Sequence, residues 1–166
     1  FGKKNDIWFF YYKNGNKMRI ESWKYGIPDG EWKYFYENKN KKAFGEISKG
    51  NRTGYWKYYF ENEAVSSEGN WNNDTLNGLW IYYHENGNIR EKGYWLNDYQ
   101  HGLWEYFYEN GLKETAGYWH YGRKEYFWKY FYENGSIKEF GNWIDNKQTG
   151  LWKYFHENGQ LSSIGL

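Results

Sequence analysis

Trp8, Trp32, Trp56, Trp80, Trp104, Trp128 and Trp152 recur at one fixed spacing of 24 residues, without a slip. A constant period over seven units is the mark of a repeat array. Each unit is then one supersecondary element that buries its apolar side against its neighbours. With each of these tryptophans at position 0, position +2 is aromatic in every unit: Phe10, Tyr34, Tyr58, Tyr82, Tyr106, Tyr130 and Tyr154. Position +3 is aromatic in every unit as well: Tyr11, Phe35, Tyr59, Tyr83, Phe107, Phe131 and Phe155. Position +6 is always asparagine: Asn14, Asn38, Asn62, Asn86, Asn110, Asn134 and Asn158. Glu precedes it except at Lys13, and Gly follows it except at Lys39 and Glu63. Glycine returns at +13, where only Glu21 differs, and two residues before the next tryptophan, where Tyr126 differs. A second tryptophan column stands at +15 (Trp23, Trp71, Trp95, Trp119, Trp143), interrupted by Ile47.

Each unit reads as two strands. W-x-Y-[FY] is rich in strand formers and runs into Asn-Gly, whose backbone preferences favour a tight turn. The segment around G-x-W supplies a shorter second strand, ending in polar stretches such as NNDTLNG (72–78), which carry their own glycine. No helix of ordinary length fits in the unit. The expected fold is all-β: an elongated single-layer antiparallel sheet of tandem β-hairpins, seven units and about fourteen strands. At ~4.8 Å between strands it would extend roughly 60–70 Å. Alternation puts positions 0, +2 and +4 on one face, the more buried one, and +1, +3 and +5 on the other. Glycine at +13 leaves room for a ring from an adjoining strand. The whole chain, 1–166, is expected to be one array, cut from a longer one.

Composition agrees and excludes much else. Of 166 residues, 12 are Trp, 20 Tyr and 11 Phe, so the core must be aromatic. The formal charge is +1 with both signs interleaved, which argues against nucleic acid and anionic membranes as partners. There is no cysteine, hence no thiolate metal site and no cysteine nucleophile.

The units GEWKYFYEN (30–38), GLWIYYHENG (78–87), GLWEYFYENG (102–111) and GLWKYFHENG (150–159), with second halves GNW (69–71) and GYW (93–95), resemble MORN repeats, in particular the bacterial variant class. The resemblance implies strings of β-hairpins forming a grooved sheet. It also implies non-enzymatic scaffolds and adaptors for proteins. Members of the class also include antitoxin or immunity proteins and surface proteins of host-associated bacteria. The departures at Glu21, Ile47, Lys39, Glu63 and Tyr126 bear on local turns and packing.

Searching for chemistry gives little. His84 and His156 both stand at +4, where other units have Tyr or Phe, and read as packing residues; His101 and His120 fall in turn regions. No HExxH or comparable metal spacing, nucleophile elbow, GxGxxG or P-loop occurs. The ladder Glu37, Glu61, Glu85, Glu109, Glu133 and Glu157 offers equivalent carboxylates in equivalent settings, unlike the differentiated pair of a glycosidase. No catalytic residue, metal ligand or cofactor is assigned. The tryptophan column at 0 is read as structural, the asparagine column as turn, and the +3 aromatics as the candidate binding stripe. The expected function is protein–protein interaction along an extended aromatic face. An antitoxin, a surface adhesin or carbohydrate binder, and a filament protomer are the alternatives. Open strand edges would allow self-association. The expected location is the bacterial surface or exterior, or the cytoplasm for an antitoxin.

Overall fold

A computed structural model describes residues 2–166. Among them there is no helix, and fifteen strands follow one another: β1 (Asp6–Tyr11), β2 (Lys17–Lys24), β3 (Ile27–Pro28), β4 (Gly30–Phe35), β5 (Lys41–Ser48), β6 (Asn51–Tyr59), β7 (Val65–Asn72), β8 (Thr75–Tyr83), β9 (Ile89–Leu96), β10 (Tyr99–Phe107), β11 (Lys113–His120), β12 (Arg123–Phe131), β13 (Ile137–Ile144), β14 (Lys147–Phe155) and β15 (Leu161–Gly165). The chain divides into two compact units, one running through Asn77 with Glu85–Gly87, the other comprising Gly78–His84 and Asn88–Leu166. In the first, β1, β2, β4, β5, β6 and β7 lie side by side in that order. In the second, β8 to β15 do the same. Neighbours pair antiparallel throughout, so each unit is an open single layer of tandem hairpins.

The fifteenth strand arises in the second repeat, where the strand is interrupted at Asp29 into two-residue β3, which holds Pro28, the one proline, and pairs with β2, and β4.

Glu-Asn-Gly is a turn. In the fifth repeat the N–H of Tyr108 donates to Leu112 O (2.9 Å) and that of Gly111 to Tyr108 O (2.9 Å). The Asn110 carboxamide oxygen accepts the Leu112 N–H at 2.8 Å, and its nitrogen donates to Glu133 O, one repeat on, at 2.9 Å. The asparagine thus closes its own turn and fastens the next one. Gly111 has φ +84°; Lys39 and Glu63 hold the same left-handed conformation with φ 79° and 69°. A side chain with a Cβ is strained there. Lys39→Gly and Glu63→Gly are each expected to stabilise the protein by about 0.5–1 kcal/mol, net of the added freedom of the unfolded chain. Urea unfolding followed by circular dichroism checks this.

Position +4 does not continue the strand, contrary to the alternation expected. Pairing slips between +2 and +3, as between Tyr106 and Phe107, and the strand ends at +3. Both backbone groups of +4 are then used by the turn. Its ring instead staples consecutive repeats. The hydroxyls of Tyr12, Tyr36, Tyr108 and Tyr132 donate to the carbonyls of Phe35, Tyr59, Phe131 and Phe155, each at 2.7 Å. His84 Nε2 makes the same contact with Phe107 O at 2.9 Å.

The second turn is also shorter than its polar stretch suggests. It has two residues, both with positive φ, such as Asn97 (50°) and Asp98 (65°) or Asp145 (49°) and Asn146 (62°). This is the hairpin turn whose twist matches its strands. The glycine before each tryptophan therefore lies within the next strand, where the register shifts, as between His101 and Trp104. It forms a bulge, and at Tyr126 (φ 59°) a tyrosine is forced into it.

Candidate binding face

The two faces have different fates. On the first, Trp32, Trp56, Trp80, Trp104, Trp128 and Trp152 are between 0 and 8% exposed, whereas Trp8 is 40% exposed. The rings of Trp56, Trp104, Trp128 and Trp152 lie flat on Gly45, Gly93, Gly117 and Gly141, so closely that a methyl group at any of these glycines would overlap them. Each indole N–H donates to a carbonyl, as Trp104 to Tyr94 O at 3.0 Å. Rings then run from repeat to repeat. In the second unit Trp104 stacks on Tyr106 (6.0 Å between centroids), Tyr106 on Trp128 (6.5 Å), and Trp128 on Tyr130 (6.2 Å). In this unit the +15 tryptophans meet the next spine ring edge-on, Trp95 on Trp104 at 5.3 Å and Trp119 on Trp128 at 5.4 Å. Ile47, which replaces one of them, is buried with Trp32 and Trp56.

Glu21 occupies the glycine position below Trp32 and is 2% exposed. A buried carboxylate is tolerable only when paired. Trp23 Nε1 donates to it at 2.8 Å, Arg19 Nε lies 2.5 Å away and Lys4 Nζ 3.8 Å.

In three repeats an aromatic box of this face holds one of the chain's own cations. Lys124 Nζ sits over Trp128 (4.4 Å), Trp143 (4.9 Å) and Tyr130 (5.5 Å), and desolvation holds its ammonium below the usual lysine range. The Arg52 guanidinium lies 3.5 Å above Trp71, and Lys4 Nζ 4.4 Å above Trp23. Such placement is worth about 0.5–2 kcal/mol. The first face therefore carries the core of the array.

Burial also pushes the hydroxyls of Tyr106 and Tyr130 up to about 12. In the unfolded chain tyrosine ionises near 10. Between these values the unfolded state releases protons that the folded state keeps. The stabilisation is full below about pH 10 and is lost as pH rises towards 12. Alkaline unfolding in that window, accompanied by tyrosinate absorbance, is the expected result, and Tyr106→Phe should move its midpoint upward.

The opposite face is less complete. Of the candidate stripe, Tyr11 is exposed, while Phe35, Tyr59, Tyr83, Phe107, Phe131 and Phe155 are half-buried. Some are partly covered: Phe44 stacks on Tyr59 at 6.3 Å and Phe140 on Phe155 at 5.7 Å. Charges in the row beside them are paired, with Lys113 and Lys92 on Glu105 at 2.6 and 3.2 Å. The hydrogen bond from Lys113, joined by that from Lys92, holds the Glu105 carboxyl below the usual range.

A more exposed column lies beside the stripe, and the aromatic pattern of the sequence does not single it out. The residue before each spine tryptophan is Ile7, Tyr55, Leu79, Leu103, Phe127 or Leu151, with Glu31 the polar exception. These six are 40–58% exposed. Tyr94 and Tyr118 extend the column. The recurring G-L-W triplets carry the signal, one place before the tryptophan that dominates the pattern. The glutamate ladder, by contrast, lies in exposed turns, with backbone carbonyls such as Glu133 O engaged and no converging oxygens among the described residues.

A tandem array of β-hairpins, braced on one side by an aromatic spine and apolar on the other, is a repeat protein with a ready surface. The family model described as MORN repeat variant matches residues 28–43, 52–73, 76–97, 100–120, 128–144 and 148–166, more than half of the chain. The chain belongs to the MORN repeat variant family. The first repeat, which carries Lys13 and Glu21, falls outside the matches. No curated protein matches the chain.

Proposed function

We propose that this chain is a non-enzymatic repeat scaffold that holds a protein partner along the face opposite the tryptophan spine. One observation carries this reading: a column of large apolar side chains, Leu79, Leu103, Phe127 and Leu151, stays exposed at the same place in successive repeats of the second unit. The spine tryptophans of that unit are buried; this column is 40–48% exposed. Neighbouring strands lie ~4.8 Å apart and each repeat spends two of them, so an apolar contact recurs about every 9.6 Å. The half-buried rings of Phe107, Phe131 and Phe155 lie in the same strands on the same side, giving each repeat an apolar anchor and an aromatic one. Large exposed apolar patches rimmed by charge are characteristic of protein-binding surfaces. Family membership supports the scaffold reading and the absence of catalysis.

The test is affinity capture from the source lysate with the unaltered chain and with a Leu103→Lys, Leu151→Lys double variant. A protein retained at a fixed ratio by the unaltered chain and lost from the variant, with equal circular dichroism, is the expected result. Equal retention by both would overturn the assignment of the face. A ratio near one to one would favour an antitoxin-like neutralising role over a multivalent adhesin.

A further inference from the structure

Two histidines that the family pattern does not require are brought together in the fifth repeat. His101 lies on β10 and His120 at the end of β11. Gly102 pairs with Trp119, so the next step of that ladder sets His101 opposite His120. The turn that follows is seated by a hydrogen bond from the Gly122 N–H to Gln100 O at 3.0 Å. The ring centroids are 5.4 Å apart, and Tyr121 packs against both rings, at 5.1 Å from His101 and 4.8 Å from His120. His101 Nδ1 is buried and has no hydrogen-bond partner. A buried ring nitrogen left unsatisfied calls for an explanation.

We propose that His101 and His120 form a bidentate site for a divalent first-row metal ion of the copper–zinc class. The geometry is the argument. A metal bound 2.0–2.1 Å from each ring nitrogen lies roughly 3.2 Å from each ring centroid, and two such rings at a tetrahedral angle have centroids about 5.2 Å apart. The observed 5.4 Å is close to that separation. Imidazole is a preferred ligand of zinc, copper and nickel, with copper bound most tightly. A metal would also give the orphaned nitrogen of His101 a partner. The neighbouring carboxylates are engaged elsewhere: Glu125 Oε1 accepts the Asp145 N–H at 3.0 Å, and Asp145 pairs with Arg123 at 2.7 Å. No group of three or more His, Asp or Glu suited to a metal occurs among the described residues, so the two imidazoles would be the protein's whole contribution to the site. Bound metal would tie the 121–122 turn to β10.

The test is calorimetric titration of the full chain with copper(II) and with zinc(II) in a non-chelating buffer. Paramagnetic broadening of the histidine ring signals by copper(II) is followed alongside. The expected result is one ion per chain, with copper tighter than zinc and the His101 and His120 signals broadened first. His101→Gln and His120→Gln should each weaken binding at least tenfold, while His84→Gln and His156→Gln leave it unchanged. His120 is exposed, so its variant keeps the fold and remains informative if His101→Gln does not. No binding, or binding unmoved by His120→Gln with broadening centred on His84 or His156, overturns the proposal.

Discussion

Trp104→Ala should cost about 3–5 kcal/mol of stability, the largest single loss expected in this protein. The ring is 0% exposed. It covers Gly93, meets Trp95 edge-on, stacks on Tyr106 and donates to Tyr94 O. Removing it opens a cavity bordered by aromatic neighbours and strands a carbonyl. In a one-dimensional array that damage cannot be shared with a larger core, because each repeat leans chiefly on the next. Urea unfolding monitored by far-ultraviolet circular dichroism measures it. A loss below about 1 kcal/mol would mean that the spine is not what holds the repeats together.

Gly117→Ala tests the same contact from below and should cost about 3 kcal/mol, at the upper end of overpacking effects. Its new methyl group would fall within the Trp128 ring. That ring has little room to yield. Its N–H is shared between Tyr118 O and Glu125 O, both at 3.2 Å, Trp119 abuts it edge-on, and the Lys124 ammonium lies over it. Gly165→Ala is the control, since nothing lies within 4 Å of its added carbon, and it should change stability by less than about 0.5 kcal/mol. The same urea experiment compares the two.

Much of this architecture is legible in the amino-acid sequence. The tryptophan period, the two-strand unit, the Asn-Gly turn and the pairing of rings with glycines at +13 all follow from backbone preference and side-chain size. The features that are not legible come from competition between local rules. Simple alternation carries position +4 onto the spine face, but the turn claims its backbone, and a phenol hydroxyl can then reach the next repeat's carbonyl. The glycine before each tryptophan looks like the end of a turn. It is a bulge, because the two positive-φ residues such as Asn97 and Asp98 have already closed the hairpin. The exposed leucines are masked by the aromatics around them: the +3 rings dominate the pattern yet are half-covered, whereas the aliphatic column is open. His101 and His120 are 19 positions apart, and only the strand register makes them neighbours.

The division of labour between the two faces is the claim on which the functional reading stands. Its most direct test is the thermal melt of a variant with Leu79→Thr, Leu103→Thr, Phe127→Thr and Leu151→Thr, four substitutions that keep strand propensity and remove the exposed apolar column. A combined fall in melting temperature smaller than that of Trp104→Ala alone is the expected result, because these side chains are 40–48% exposed whereas Trp104 is 0% exposed. A collapse as large as that of Trp104→Ala would contradict the account: the second face would then be core, and a partner would have to bind elsewhere.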